Sequence, residues 1–268
     1  MFRLPISRTS LEDLIGIFGL GQHEPRDVVL VSLDLEGPRQ NRCHVISQIG
    51  VSYFDTRRLH HPNQADHHHF ATRHFIVGGQ RRLAHVGAKY HFGDSEHITS
   101  QDGVDDVLRN LLLIPDEKAP EKYRDIVLLA HGISADLATC RKRGYSLEDL
   151  TSVVGLLDTA YLARDVLGTT MPLCSLLNIL ELPSKELHNA GNDANYALRA
   201  LLVLCSYGVS PLSAKSIGTL DYFKGIAFEP LPDTTERNAR LRSLKSWCTD
   251  LVPLYSLDVG GLNLFDDA

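Results

Sequence analysis

One stretch constrains this chain more than any other: Val28-Val29-Leu30-Val31-Ser32-Leu33-Asp34-Leu35-Glu36. Its apolar beginning reads as a strand buried on both faces, of the kind found inside a parallel or mixed sheet. It closes on two carboxylates two residues apart. Side chains at i and i+2 of a strand project to the same side, so Asp34 and Glu36 stand together on one face at the strand's end. Carboxylates so placed repel each other, and a divalent cation held by oxygen ligands is the natural counter-charge. Alone, the pair fits the solvated end of a strand equally well, so other stretches of the chain must decide.

The pattern downstream sets the fold class. Residues 45–54 predict a second strand, with Ile49, Val51 and Tyr53 on one face, and residues 70–77 a third, giving an antiparallel meander. The histidine-rich turn between them contains His67-His68-His69, which in extended chain would alternate faces and cannot converge on one ion. Residues 78–100 read as a long irregular loop carrying Arg81, Arg82, Lys89, His85, His91 and His97, either a solvated surface or a phosphate contact. Val104, Val107, Leu108, Leu111 and Leu112 follow helical spacing up to Pro115, and 116–124 reads as a charged connector. Buried strands are expected at 126–130 and 153–157, with helices at 134–143, 159–167, 173–180 and 194–205. Three strands followed by alternating helix and strand predict an α/β fold: a mixed five-stranded sheet, three strands antiparallel and two parallel, flanked by helices.

Three segments follow. Residues 1–26 form an N-terminal extension whose helix is capped at Ser10 and presents Leu11, Leu14, Ile15 and Phe18. Residues 27–207 form the main domain. Residues 208–268 form a C-terminal extension with an amphipathic stretch at 234–250, where Leu241, Leu244 and Cys248 face inward beneath a basic side. A formal charge of −6 argues against a protein that coats nucleic acid along its length, but not against one that grips a strand end. The five cysteines are scattered and form no CxxC pair, as expected for buried thiols in a reducing compartment. No apolar stretch approaches the roughly 18–20 residues of a membrane span. Arg3 and Arg8 are soon followed by Glu12 and Asp13, which does not read as a secretory signal.

Two further stretches turn the first pair into a pattern. His131-Gly132-Ile133-Ser134-Ala135-Asp136 places an acid just past a buried strand, and His188-Asn189-Ala190-Gly191-Asn192-Asp193-Ala194 places a histidine five residues before an acid at the mouth of a helix. Together with Asp34-Leu35-Glu36, these stretches resemble the DEDDh 3′–5′ exonucleases of the ribonuclease H-like superfamily. Gln48-Ile49-Gly50, Asp158-Thr159 with Leu162-Ala163-Arg164, and Ser175-Leu176-Leu177 add to the resemblance, which covers about residues 27–207. The uninterrupted His188–Ala194 stretch and Phe92-Gly93-Asp94-Ser95-Glu96 resemble one fungal branch, whose yeast founder is named for full activity of a DEAD-box mRNA-export helicase.

The resemblance implies a ribonuclease H-like fold and hydrolysis of phosphodiesters at single-stranded 3′ ends, RNA more than DNA. It implies two Mg²⁺ or Mn²⁺ ions, which in such sites lie roughly 3.5–4 Å apart. Asp34 would bridge them, Glu36 and Asp193 would hold the ion on the nucleophile's side, and Asp136 would reach an ion directly or through water. Histidine in general has an unperturbed pKa near roughly 6.5, and the resemblance makes His188 a general base that swings in with substrate. Leu35, Gly37, His131 and Asn189 stand at the family's substrate-holding positions. A partner in RNA processing or export and a cytoplasmic or nuclear location follow from the same branch, and no membrane is involved. Departures concern the nucleotide-holding surface: Gly37-Pro38-Arg39 follows the glutamate, where Pro38 offers no N–H, and Gly132 and Ala135 replace larger family residues. These departures favour an alternative, a weakly catalytic exonuclease-fold module that binds RNA or a protein. A phosphoesterase acting on dinucleotides is a third reading, and would need a closed pocket.

Overall fold

A computed structural model describes residues 10–21, 24–37, 45–60, 69–210 and 213–232. Its centre is a mixed sheet of six strands. Strand β1 (Val29–Glu36) pairs antiparallel with β2 (Gln48–Asp55), which pairs antiparallel with β3 (Ala71–Val77). On its other edge β1 runs parallel to β7 (Ile126–Ala130), and β7 parallel to β8 (Val153–Asp158). The meander and the two parallel strands stand as the sequence predicts.

The five-stranded count is corrected to six by β4 (Glu96–Ile98), which runs parallel to β3 at the sheet's edge. Glu-His-Ile is too short and too polar to show a strand period. A side-chain fork holds it, Arg73 donating to both oxygens of Glu96 at 2.8 Å each. The segment read as an irregular loop also contains helix α2 (Gln80–Gly87), and the charged connector is a small hairpin of β5 (Pro115–Asp116) and β6 (Ala119–Tyr123). The 234–250 stretch, His67, His68, Pro38 and Arg39 lie outside the described residues.

Alternation along β1 divides the core. Val29, Val31 and Leu33 face a layer containing α3 (Asp102–Leu111) and α4 (Ile133–Lys142). Val28 and Leu30 face the other layer, with α1 (Leu11–Phe18), α5 (Thr159–Leu167), α6 (Leu173–Ile179), α7 (Ala190–Gly208) and α8 (Ala214–Ala227). Asp34 and Glu36 share Leu30's parity, so the strand geometry turns both acids toward the α7 side. α7 is 19 residues long and buried almost throughout, so it lies inside a layer and not on a surface. It begins four residues before the predicted 194, which brings Asp193 into its first turn.

Candidate active site

The ends of β1 and the beginnings of α4 and α7 meet at one point. β1 delivers Asp34 and Glu36 at its carboxyl end, α4 delivers Asp136 in its first turn, and α7 delivers Asp193 in its first turn. Ligands in open α/β sheets bind at such carboxyl ends, and the positive end of a helix dipole favours an acid in its first turn.

Close packing sets the approach of α7. In the β1–β2 register Gly50 lies opposite Asp34. A Cβ on Gly50 would fall 1.8 Å from the Ala190 carbonyl oxygen, and one on Gly191 would fall 2.7 Å from the His74 Cβ. Only the absence of side chains lets the helix start rest on β2. Gln48 Oε1 accepts from the Ala190 N–H at 3.3 Å and pairs with His74 Nε2 at 3.0 Å, while His74 Nδ1 meets the Ser95 hydroxyl at 2.8 Å. Burial lowers the His74 pKa to about 4, which keeps the ring neutral near neutral pH.

The opposite flank depends on Asp158. Gly132 gives α4 no side-chain cap, and Asp158 supplies one from β8 by accepting from the Gly132 and Ile133 N–H groups at 3.0 and 3.1 Å. The same carboxylate caps α5 through Ala160 N–H at 2.9 Å. With α4 fixed, Asp136 Oδ1 accepts from the Leu35 N–H at 3.0 Å.

The electrostatics are those of acids crowded away from water. Burial first, then Asp136, Asp193 and Glu36, hold the Asp34 pKa far above the usual carboxylate range. Asp136 is pushed up to about 7, chiefly by burial, against the opposing Leu35 hydrogen bond. Asp193 is pushed up to about 7 by burial and then by Glu36, against the His188 N–H bond. Asp34 Oδ2 and Asp193 Oδ1 are shielded from solvent and have no hydrogen-bond partner among the described residues. Orphaned carboxylate oxygens in a group of mutually repelling acids fit a hard divalent cation, which takes oxygen ligands. No soft donor from cysteine stands among these side chains, in keeping with a hard ion.

His188 stands at the rim. Its side chain is 77% exposed, and Nδ1 lies 3.7 Å from Glu36 Oε1. Its backbone has φ 63°, a left-handed conformation uncommon outside glycine. Three α7 side chains fasten the segment that holds it there. Asp193 Oδ2 accepts the His188 N–H at 2.9 Å, Asn192 Nδ2 donates to the Glu186 carbonyl at 3.0 Å, and the Tyr196 hydroxyl bonds both N–H and C=O of Lys185 at 3.0 and 2.8 Å.

The substrate-position residues divide. Gly37 is exposed at the end of β1, and the Leu35 side chain packs into the opposite core while its N–H serves Asp136. Both ring nitrogens of His131 are engaged, Nδ1 with the Thr159 hydroxyl at 2.9 Å and Nε2 with the Met171 carbonyl at 2.8 Å. Asn189 is the buried N-cap of α7, accepting from the Asn192 N–H at 3.2 Å and donating to the Val86 carbonyl at 3.2 Å. His74, on β3, is buried, and of the loop histidines His97 bonds the Gly78 carbonyl. Sequence reasoning gave no role to Asn192, Tyr196 and His74. Asn192 stood inside the quoted motif, whereas nothing local marked the other two.

The comparisons agree with this geometry. A family model described as "DNA polymerase III subunit epsilon-like, C-terminal domain" (DEDDh_C) matches residues 29–204. The chain is similar to "Good for full DBP5 activity protein 2" of Saccharomyces cerevisiae, 26% identical over 205 residues, covering 68% of this chain and 36% of that protein. It is also similar to an uncharacterized nucleolar protein of Schizosaccharomyces pombe, 23% identical over 176 residues, covering 63% of this chain and 65% of that one. The matched stretches thus span less than two thirds of either curated relative.

Proposed function

The chain belongs to the DEDDh exonuclease-like family, and from that premise we propose that it is a metal-dependent 3′–5′ exonuclease acting on single-stranded nucleic acid, RNA in preference to DNA. The observation that carries this reading is the convergence of Asp34, Glu36, Asp136 and Asp193 with two buried carboxylate oxygens lacking a hydrogen-bond partner among the described residues. These four acids would hold two Mg²⁺ or Mn²⁺ ions, with Glu36 and Asp193 serving the nucleophile's side. Bound there, the ions would supply Lewis acidity at the phosphate and counter-charge for the leaving oxygen.

The protein's own part is positional and acid–base. The His188 imidazole, beside Glu36, takes a proton from the attacking water. The water oxygen bonds to phosphorus, and the bond from phosphorus to the 3′ oxygen of the preceding nucleotide breaks. That oxygen gains a proton, leaving a shortened strand with a 3′ hydroxyl and a free nucleoside 5′-monophosphate. Asp193 holds the His188 backbone through one oxygen, and its other oxygen, without a hydrogen-bond partner among the described residues, would be a ligand for an ion. Gly37 borders the terminal nucleotide, Leu35 holds Asp136 through its N–H, and His131 and Asn189 support the nucleotide-holding surface from behind. The names of the yeast relatives, one tied to DBP5 activity and one nucleolar, support an RNA substrate, a nuclear location and a partner in RNA processing or export.

A second reading is a weakly catalytic module that binds RNA or a protein partner. It draws on the engagement of His131 and Asn189 within the scaffold. Incubation with 3′- and 5′-labelled RNA and DNA single strands, in Mg²⁺, Mn²⁺ or EDTA, separates the two. The exonuclease releases nucleotides stepwise from the 3′ end, only with metal, and faster from RNA. Strand binding without shortening under every metal condition would replace it with the module.

A further inference from the structure

Glu36, His188 and Asp193 each offer a ligand atom, and these atoms lie within 4.8 Å of one another. His188 Nδ1 and Glu36 Oε1 are 3.7 Å apart. An ion bound at the roughly 2.0–2.2 Å typical of zinc to nitrogen and carboxylate oxygen spans ligand pairs up to about 4 Å apart. A small turn of the exposed imidazole therefore completes a three-ligand shell. Asp193 brings a second, independent sign of a ligand: it is 7% exposed, and its Oδ1 has no hydrogen-bond partner among the described residues. The imidazole is also prepared for the role, since the bonds from Asn192, Asp193 and Tyr196 hold its backbone segment against α7.

The donor set distinguishes between ions. Magnesium takes oxygen in octahedral shells that keep several waters, and imidazole adds little to it. Zinc takes imidazole and carboxylate together in small shells and lies higher in the affinity order of the divalent metals than manganese. With magnesium or manganese present, the His188 lone pair stays free. With zinc present, that lone pair becomes a ligand.

We propose that Glu36, His188 and Asp193 form a zinc(II) site that overlaps the nuclease site and switches it off by capturing the imidazole meant to accept the water's proton. The inhibitory consequence rests on the exonuclease reading, whereas zinc binding through His188 does not. The test is calorimetric titration of Zn²⁺ alone into the metal-free full chain, compared with His188→Ala and Glu36→Gln, and of Mn²⁺ into the same proteins. Even outer-shell changes cost metal sites about 10–100-fold in affinity, so His188→Ala should weaken Zn²⁺ at least about tenfold. It should leave Mn²⁺ within about twofold, while Glu36→Gln weakens both ions. The His188 side chain is exposed, so its removal leaves the fold intact, and cobalt(II) absorption of wild type against His188→Ala reports the lost nitrogen ligand. Zinc affinity indifferent to His188→Ala would overturn the proposal, because the ion would then sit elsewhere on the chain. Metal-dependent strand shortening measured in parallel keeps the two readings apart. A chain that binds zinc through His188 but shortens no strand retains the site and loses the exonuclease, and with it the inhibition. A chain that shortens strands but ignores His188 in binding zinc loses only the present inference.

Discussion

At the scale of single residues, the acids have opposing effects on stability and metal binding. In the metal-free protein Asp136 and Asp193 retain their protons up to about pH 7, while an unfolded chain releases them near roughly pH 4. Between those values the folded state binds more protons than the unfolded one, so stability falls as pH rises from about 4 to about 7. Urea unfolding of the EDTA-treated protein should show this decline. Asp193→Asn should flatten it, and saturating Mn²⁺ should raise stability most on the alkaline side. His188 carries a separate prediction. General-base removal costs about 10²–10⁴ in rate, so His188→Ala should lower kcat by at least about 10² while Mn²⁺ affinity holds. Collapse of Mn²⁺ affinity would instead make the histidine an ordinary ligand for that ion.

At the scale of elements, α7 is the carrier of the site and β2 is its seat. The contact is backbone against backbone at Gly50 and Ala190. Gly50→Ala should force α7 off the sheet, with an overpacking cost of about 1–3 kcal/mol or more and a parallel loss of Mn²⁺ affinity. A folded variant with unaltered metal affinity would show that α7 can shift without moving Asp193. The long apolar elements were legible in sequence because their periods were clean: β1, β7 and α5 lie where patterning puts them. The missed elements each lack such a period. β4 has three residues and depends on the Arg73–Glu96 fork, α2 stands beyond Gly78-Gly79, and α8 contains Gly218 and Gly225 within a helix whose buried face is Leu220, Phe223 and Ile226. Tertiary contacts, not local preference, make those elements.

At the scale of the whole molecule, buried polar contacts join the outer helices to the layer that holds the site. Arg199, 1% exposed, donates to Asn195 Oδ1 at 2.8 Å and to the carbonyls of Ala227 and Glu229 at 3.1 and 2.6 Å, joining α7 to the end of α8. Asn195 continues the link by donating to the Thr72 hydroxyl on β3 at 2.9 Å. Arg199→Leu leaves several buried acceptors unmatched, at about 1–3 kcal/mol each, and should lower urea stability by that order. An unchanged midpoint would mean that α8 is not fastened through this side chain. The motif residues themselves were readable in sequence because three short patterns came in family order. Their support was not readable, since Asp158 capping α4 and Gln48 receiving α7 join residues far apart in sequence. The central claim is that these distant pieces assemble a binuclear metal site. Calorimetric titration of Mn²⁺ into metal-free wild type and Asp34→Asn tests it most directly. Two ions per chain, with affinity weakened at least about tenfold in Asp34→Asn, is the predicted result; identical isotherms for the two proteins would contradict it.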